Sequence, residues 1–522
     1  MGLSKSFNTL VILASSVAGI VGSGWLLGPL VCAKMVGPAA IMTWIIGGFL
    51  MMVVGATFVV LTCKNPIAGG TVRYFQLHYG HFAGFSFSWI AWLAWVAVPP
   101  IETMALIQYS ASYIPHLMTT GPSPVLTPFG MIIAMSCMIL ITYINNFGVS
   151  LFSKINYLIL TFKLAVPVIT TLLLFSSQFH FAYFTDEGGF MPYGIKSIFA
   201  ALPIAGVIYS FIGFNPAVEL AAETKNPNKT IPIAILGSLS VCIVLYTLIQ
   251  IAFIGALPEN SLKQGWSSIT FSGESGPFVG LLGILGFVWF VKALYVDAII
   301  SPFGTAMVQA MTTARLTYAM SENGYFPKSL MKINAHHSPN RAMLLNLIVG
   351  FLFFLPFPSW QHMVGFLVSC LVLGYIIGPL SLMLNAKSKV MHGFCLLAFY
   401  ICNLMIFWTG WGTISKVLIL FFSGYFLLAF KCYIKKEVSF VKNLDILRGS
   451  WVVFYMIGIG IISYLSSFDG RNIVPFGLDF LIVALLSVGI YMLAAFLVNY
   501  TALNYKINEG VPEKIPGMMQ VE

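Results

Sequence analysis

Charge is scarce in this chain: of 522 residues only 8% are Asp, Glu, Lys or Arg, against about a quarter in soluble globular proteins. With 59% hydrophobic residues, that scarcity excludes a soluble domain and identifies an integral membrane protein. HExxH motifs and paired metal-ligand spacings are missing, and no cofactor is implied. All eight histidines (His78, His81, His116, His180, His336, His337, His362, His392) fall in loops or at the ends of apolar runs. A membrane enzyme such as an acyltransferase usually wants a buried histidine or a metal as its base, so that class is disfavoured. CxxC pairs are absent as well, and the cysteines lie within or at the ends of apolar segments, as free core thiols rather than a disulfide framework. A channel is disfavoured because no filter motif is visible, and a sensor because the tail after Tyr500 is too short for a signalling domain.

Apolar runs fill the space that charge leaves. About 20 apolar residues span a bilayer, and the sequence predicts fourteen such helices between residues 8 and 499. The first run, 8–34, is followed by no small-residue cleavage site and reads as a retained helix rather than a signal peptide. With the N-terminus inside, nineteen basic residues fall in cytoplasmic segments and five outside, while Lys163 and Lys292 lie within spans. This is the positive-inside distribution. It places both termini in the cytoplasm and makes the net charge of +10 a matter of topology rather than nucleic-acid binding. Three of the 16 acidic residues, Glu102, Glu219 and Asp297, also fall in spans. Each costs about 2.5 to 3.5 kcal/mol on insertion scales unless a partner or a water-filled cavity offsets it.

The first run contains GSGWLLGPL, Gly22 to Leu30. One reading is a GxxxG packing face at Gly24 and Gly28. The other is that Gly22, Ser23 and Gly24 unwind the helix and bare backbone groups that a polar ligand can satisfy. The sixth run, 197–222, carries a counterpart in YSFIGFNPAVEL, where Gly213, Asn215 and Pro216 interrupt it. Corresponding breaks in the two halves of a chain point to the binding site of a transporter.

These stretches, together with IGFNPAVELAAETKNPNKTIP around the sixth run and RLTYAMSENGYFP after the eighth, resemble the amino acid, polyamine and organocation superfamily, in order over helices one to ten. The resemblance implies an all-α membrane protein of the LeuT type: two inverted five-helix repeats, about 8–177 and 197–384, forming a transport core over 1–384. Four accessory helices follow over 385–500, then a short cytoplasmic tail, 501–522. Compact loops and short tails resemble bacterial members, which implies the cytoplasmic membrane. The resemblance also implies a substrate α-carboxylate near the amides of Gly22, Ser23 and Gly24 and an amino group near carbonyls of both breaks, with Ile212, Gly213 and Phe214 forming the second half. In physical terms, half-helix N-termini suit a carboxylate and C-terminal carbonyls an ammonium.

Lys163 stands about ten residues into the fifth run. It either snorkels to the interface or, as the resemblance implies, stands in for a sodium ion and bridges the first and eighth helices. Ser301, in YVDAIISPFGTA, is the expected hydroxyl partner, and Asp297 one turn away either joins the coupling groups or pairs with Lys292. Glu102, just after Pro99 and Pro100, is read as a coupling carboxyl, a ligand for a cationic substrate group, or a neutral core acid. Arg73 with Glu223, and Glu219 beside them, form a candidate inner gate. Phe214 and Trp25 are candidate lids, and Trp89, Trp92 and Trp95 a packing stripe. Asn226 and Pro227 read as the end of one helix, and Thr230 with Pro232 as the start of the next.

The function expected is secondary active transport of an amino acid, with protons as the possible coupling ion. Sodium-independent exchange and polyamine transport remain open, as does the oligomeric state.

Overall fold

The computed structural model describes residues 9–66, 70–119, 124–147, 149–186, 188–219, 221, 224–271, 276–336, 338–355, 359–435 and 443–509. Helices dominate it, and each of the fourteen predicted segments coincides with a helix or with a run of two or three broken helices. The first segment is α1 (Thr9–Ile20) and α2 (Gly24–Val36), followed by α3 (Ala40–Lys64), α4 (Gly70–Ser110), α5 (Pro128–Asn146) and α6 (Val149–Ser176). The sixth segment is broken twice, into α7 (Gly194–Ile204), α8 (Val207–Ser210) and α9 (Asn215–Glu219). Then come α10 (Pro227–Gly255), the pair α11 (Pro277–Ile284) and α12 (Val288–Glu322), α13 (Asn340–Phe353), and the pair α14 (Trp360–Tyr375) and α15 (Ile377–Met383). The chain continues with α16 (Lys389–Phe407), α17 (Trp411–Lys435), the short α18 (Asn443–Gly449), α19 (Trp451–Leu465) and α20 (Leu478–Glu509). Among the described residues, ten helical stretches are long and apolar enough to cross a membrane on their own. The broken or shorter segments complete the fourteen.

α4 and the α14–α15 pair run through the middle, their most apolar stretches wholly buried. α4 packs along α12 and α14, and α10 along α1 and α3. Pro99 removes the amide that would reach the carbonyl of Trp95, and the Thr313 hydroxyl on α12 takes that acceptor at 3.2 Å. The outer faces of α5, α17 and α20 present large apolar side chains such as Ile132, Tyr143, Ile419, Phe426, Leu485 and Phe496. A helix surface of that kind suits lipid rather than water.

α10 begins earlier than the sequence reading placed it. Asn226 and Pro227 do not close a helix; Pro227 opens α10 at its first position, where its missing N–H costs nothing. Thr230 lies inside the helix, with its hydroxyl 2.9 Å from that of Thr9 on α1.

α4 starts well before the predicted 82 and bends at Gly80, whose φ of 81° suits glycine. Both helix ends at this elbow are satisfied by α18. Asp445 accepts from the His81 amide at 3.2 Å, and Arg448 donates to the His78 carbonyl at 2.5 Å. The signs match the partial charges of a helix start and a helix end. Tyr79 donates to the Leu380 carbonyl at 2.9 Å, and Asn385 lies 3.1 Å from the His78 ring, tying the elbow to the end of α15.

Candidate functional site

The breaks between α1 and α2 and between α8 and α9 meet at the centre of the molecule. Gly213 has a φ of 134°, a conformation open to glycine and hardly to other residues. A side chain there would run into the backbone of Gly19, and a Cβ on Gly19 would fall 2.5 Å from the Gly213 carbonyl oxygen. Gly24 lies against Ser210 with no room for a Cβ. Both explanations of the glycines in GSGW therefore hold at different atoms: Gly24 lets helices approach, while Gly22 and Ser23 interrupt the helix and turn backbone groups inward.

They turn toward a small cavity lined by Gly19, Ile20 and Gly22 from the first break and by Tyr209 and Ile212 from the second, with Glu102 between them. Trp95 of α4 and Thr305 and Gln309 of α12 complete its wall. Ser23 sits at the N-terminus of α2, and its amide donates to Glu102 at 3.1 Å (Oε2) and 3.4 Å (Oε1). The Tyr209 hydroxyl donates to the same carboxylate. The Ser23 side chain faces another way and accepts from the Trp360 indole at 3.0 Å.

Lys163 is 1% exposed, which rules out snorkelling to an interface. Its ammonium donates to the Ala18 carbonyl at 3.0 Å and to the Thr305 hydroxyl at 2.5 Å, so it joins the first and eighth spans. The hydroxyl partner is Thr305 and not Ser301. Successive i, i+4 positions lie one above the other on a helix face, and the lysine meets the lower of the two; Ser301 contributes its carbonyl, which accepts from Thr305 at 3.2 Å. The Ser301 hydroxyl and both carboxylate oxygens of Asp297 are buried without a hydrogen-bond partner among the described residues. Lys292 does not supply one, because it points outward on the exposed face of α12.

The remaining candidates sit as follows. Ile212 lines the cavity, whereas Phe214 stacks on Tyr375 at 5.3 Å between ring centroids and touches Phe58. Trp25 packs on Phe278. Trp89 donates to the Leu420 carbonyl and Trp92 to Thr317 and Asn346, while Trp95 faces the cavity. The side chains of Arg73 and Glu219, and all of Glu223, lie outside the described residues, so the inner-gate pairing does as well. Sequence reasoning missed Tyr209, Thr305 and Trp360. Tyr209 had a signal, standing four residues before Gly213 in the same broken run. Thr305 had one too, at the next i+4 step after Asp297 and Ser301. Trp360 had none.

A family model described as amino acid permease matches residues 6–384. A glutamate/serine transporter of Bacillus subtilis is 33% identical over 94% of this chain and 94% of its own length. An aspartate-proton symporter of the same organism is also 33% identical, over 94% of this chain and 96% of its own. A gamma-aminobutyric acid permease, again of Bacillus subtilis, is 25% identical over 67% and 72% respectively. These relatives are membrane transporters and not enzymes. By the family match and by the length and identity of the first two similarities, the chain belongs to the amino acid permeases.

Proposed function

We propose that the protein takes up amino acids across the cytoplasmic membrane by alternating access, with protons as the coupling ion and both termini in the cytoplasm. The observation that carries this reading is the cavity between the two breaks, lined by Glu102 and Thr305: the amide of Ser23 at a half-helix N-terminus holds the Glu102 carboxylate, and the Lys163 ammonium holds the Thr305 hydroxyl. A half-helix N-terminus attracts a carboxylate, and the ammonium of the same substrate is expected beside the break residues that line the cavity, Gly19, Ile20 and Ile212. Lys163 is a fixed cation joining α1, α6 and α12, so a sodium ion is not needed there to hold them. The core is 1–384, built as two inverted repeats, with Arg73, Glu219 and Glu223 as its inner gate. The glutamate, serine and aspartate named for the two full-length relatives are the first substrates to try.

The test is uptake into liposomes holding the purified protein. Labelled aspartate, glutamate and serine are supplied with and without an inward proton gradient, and with and without unlabelled amino acid inside. Gradient-driven uptake into empty vesicles is expected. Uptake restricted to preloaded vesicles and indifferent to the gradient would make the protein an exchanger; uptake of spermidine in place of amino acids would move it to the polyamine class.

A further inference from the structure

Glu102 occupies an unusual position for a buried acid. It is 1% exposed, in the last third of α4, and its carboxylate accepts from the amide that opens α2. The first amides of a helix have no partner within the helix, and the axis dipole adds positive character there. Any carboxylate in the cavity finds its best donors at that point. The protein's own carboxylate fills it, held by Ser23 on one side and Tyr209 on the other.

We propose that Glu102 is a resident stand-in for the substrate carboxylate: the two compete for the Ser23 amide, and protonation of Glu102 makes it yield the place. This inference rests on the reading of the cavity as the amino acid site. A neutral carboxylic acid is a weaker acceptor than a carboxylate, so an incoming α-carboxylate wins the amide when Glu102 carries a proton. The exchange of one α-carboxylate for that of Glu102 then leaves the number of carboxylate charges beside Lys163 unchanged. An ion left unbalanced in a low-dielectric pocket is disfavoured, and this exchange avoids it. One proton therefore travels with each carboxylate substrate, and a cation without a carboxylate has nothing with which to displace Glu102.

The charged and titratable groups around Glu102 are few. Lys163 approaches from α6, Tyr209 from α8, Tyr246 from α10 with its hydroxyl bonded to the Ile20 carbonyl at 3.4 Å, and Asp297 lies further along α12. α1 and α2 supply backbone amides, α12 the neutral Thr305 and Gln309, and α14 the Trp360 indole. Glu102 is the acid hydrogen-bonded at the amide itself, so its proton is the one coupled to binding there.

The experiment measures equilibrium binding of aspartate, glutamate and serine, by intrinsic tryptophan fluorescence, to purified full-length protein at pH 5.5, 6.5 and 7.5. Ethanolamine, which is serine without its carboxylate, is run in parallel, and wild type is compared with Glu102→Gln and Glu102→Asp. Over the range where Glu102 is ionised, wild-type affinity is expected to weaken on the order of tenfold per pH unit, as one linked proton requires. Glu102→Gln is expected to bind independently of pH and as tightly as wild type at its most acidic pH; Glu102→Asp retains the slope; ethanolamine binds to none of them. Weaker binding by Glu102→Gln at every pH would make Glu102 a ligand of the substrate ammonium and overturn the proposal, as would equal pH slopes in wild type and Glu102→Gln. In both cases amino acid binding would survive, so the site reading would stand. Absence of amino acid binding to any variant, each with a cooperative melting transition, would remove the site reading and this proposal together.

Discussion

The Lys163 ammonium stands 2.5 Å from the Thr305 hydroxyl and 3.0 Å from the Ala18 carbonyl, tying α6 to α12 and to the last turn before the break in α1. A buried ammonium without acceptors is costly, so each acceptor contributes. Thr305→Val keeps the shape and removes one; it is expected to destabilise the protein by roughly 1.5 to 3 kcal/mol, while Thr305→Ser stays close to wild type. Thermal unfolding in detergent measures both. Lys163→Met is expected to abolish gradient-driven uptake without rescue by Lys163→Arg, whose planar fork does not reproduce a point donor.

Gly213 and Gly24 test the meeting of the two breaks. Gly213→Ala forces a side chain into backbone at a positive φ and is expected to eliminate folded protein or its transport. Gly24→Ala overpacks against Ser210, at a cost of about 1 to 3 kcal/mol. The double variant Gly24→Ala with Ser210→Gly is expected to recover most of that loss, read as melting temperature and uptake rate; failure to recover would show that Gly24 matters for something other than room.

Ser23 and Trp360 form a cycle of their own through the indole to hydroxyl bond of 3.0 Å. Trp360→Phe and Ser23→Ala are each expected to loosen the first break. Their effects on stability should fall short of additivity by about 1 kcal/mol. Simple additivity would mean that the hydrogen bond contributes nothing measurable.

Asp297 is fully buried and neither of its oxygens has a hydrogen-bond partner among the described residues. Asp297→Asn removes the capacity for an unbalanced charge and keeps the volume, so the melting temperature is expected to hold or rise. Retained folding with lost uptake would give this carboxylate a part in the transport cycle; retained folding with normal uptake would leave it a packing residue.

The architecture was legible because hydropathy carries it: a helix or broken helix at each of the fourteen predicted segments, and the breaks at Gly22 to Gly24 and at Gly213, follow from run length and from glycine in apolar surroundings. The depth of Lys163 in its run pointed to a buried role. Side-chain partners were less legible. Ser301 and Thr305 are both hydroxyls one turn apart on one helix face, and spacing alone does not say which meets a lysine from another helix. Trp360 was hidden among aromatics that make up 15% of the chain. Gly80 gave no warning of its elbow, since the charges that complete it come from Asp445 and Arg448, far away in sequence.

That elbow bears on what can be cut from the chain. The family match ends at residue 384, which makes the boundary after α15 a tempting place to truncate. A fragment ending there would lack the carboxylate on the His81 amide and the guanidinium on the His78 carbonyl; a lost helix N-cap alone costs about 0.5 to 2 kcal/mol. Hydrogen exchange over residues 70–90 is expected to quicken in Asp445→Ala and in Arg448→Ala as well as in the fragment. A recombination or a fusion joined after α15 would therefore separate a bend from the charges that hold it.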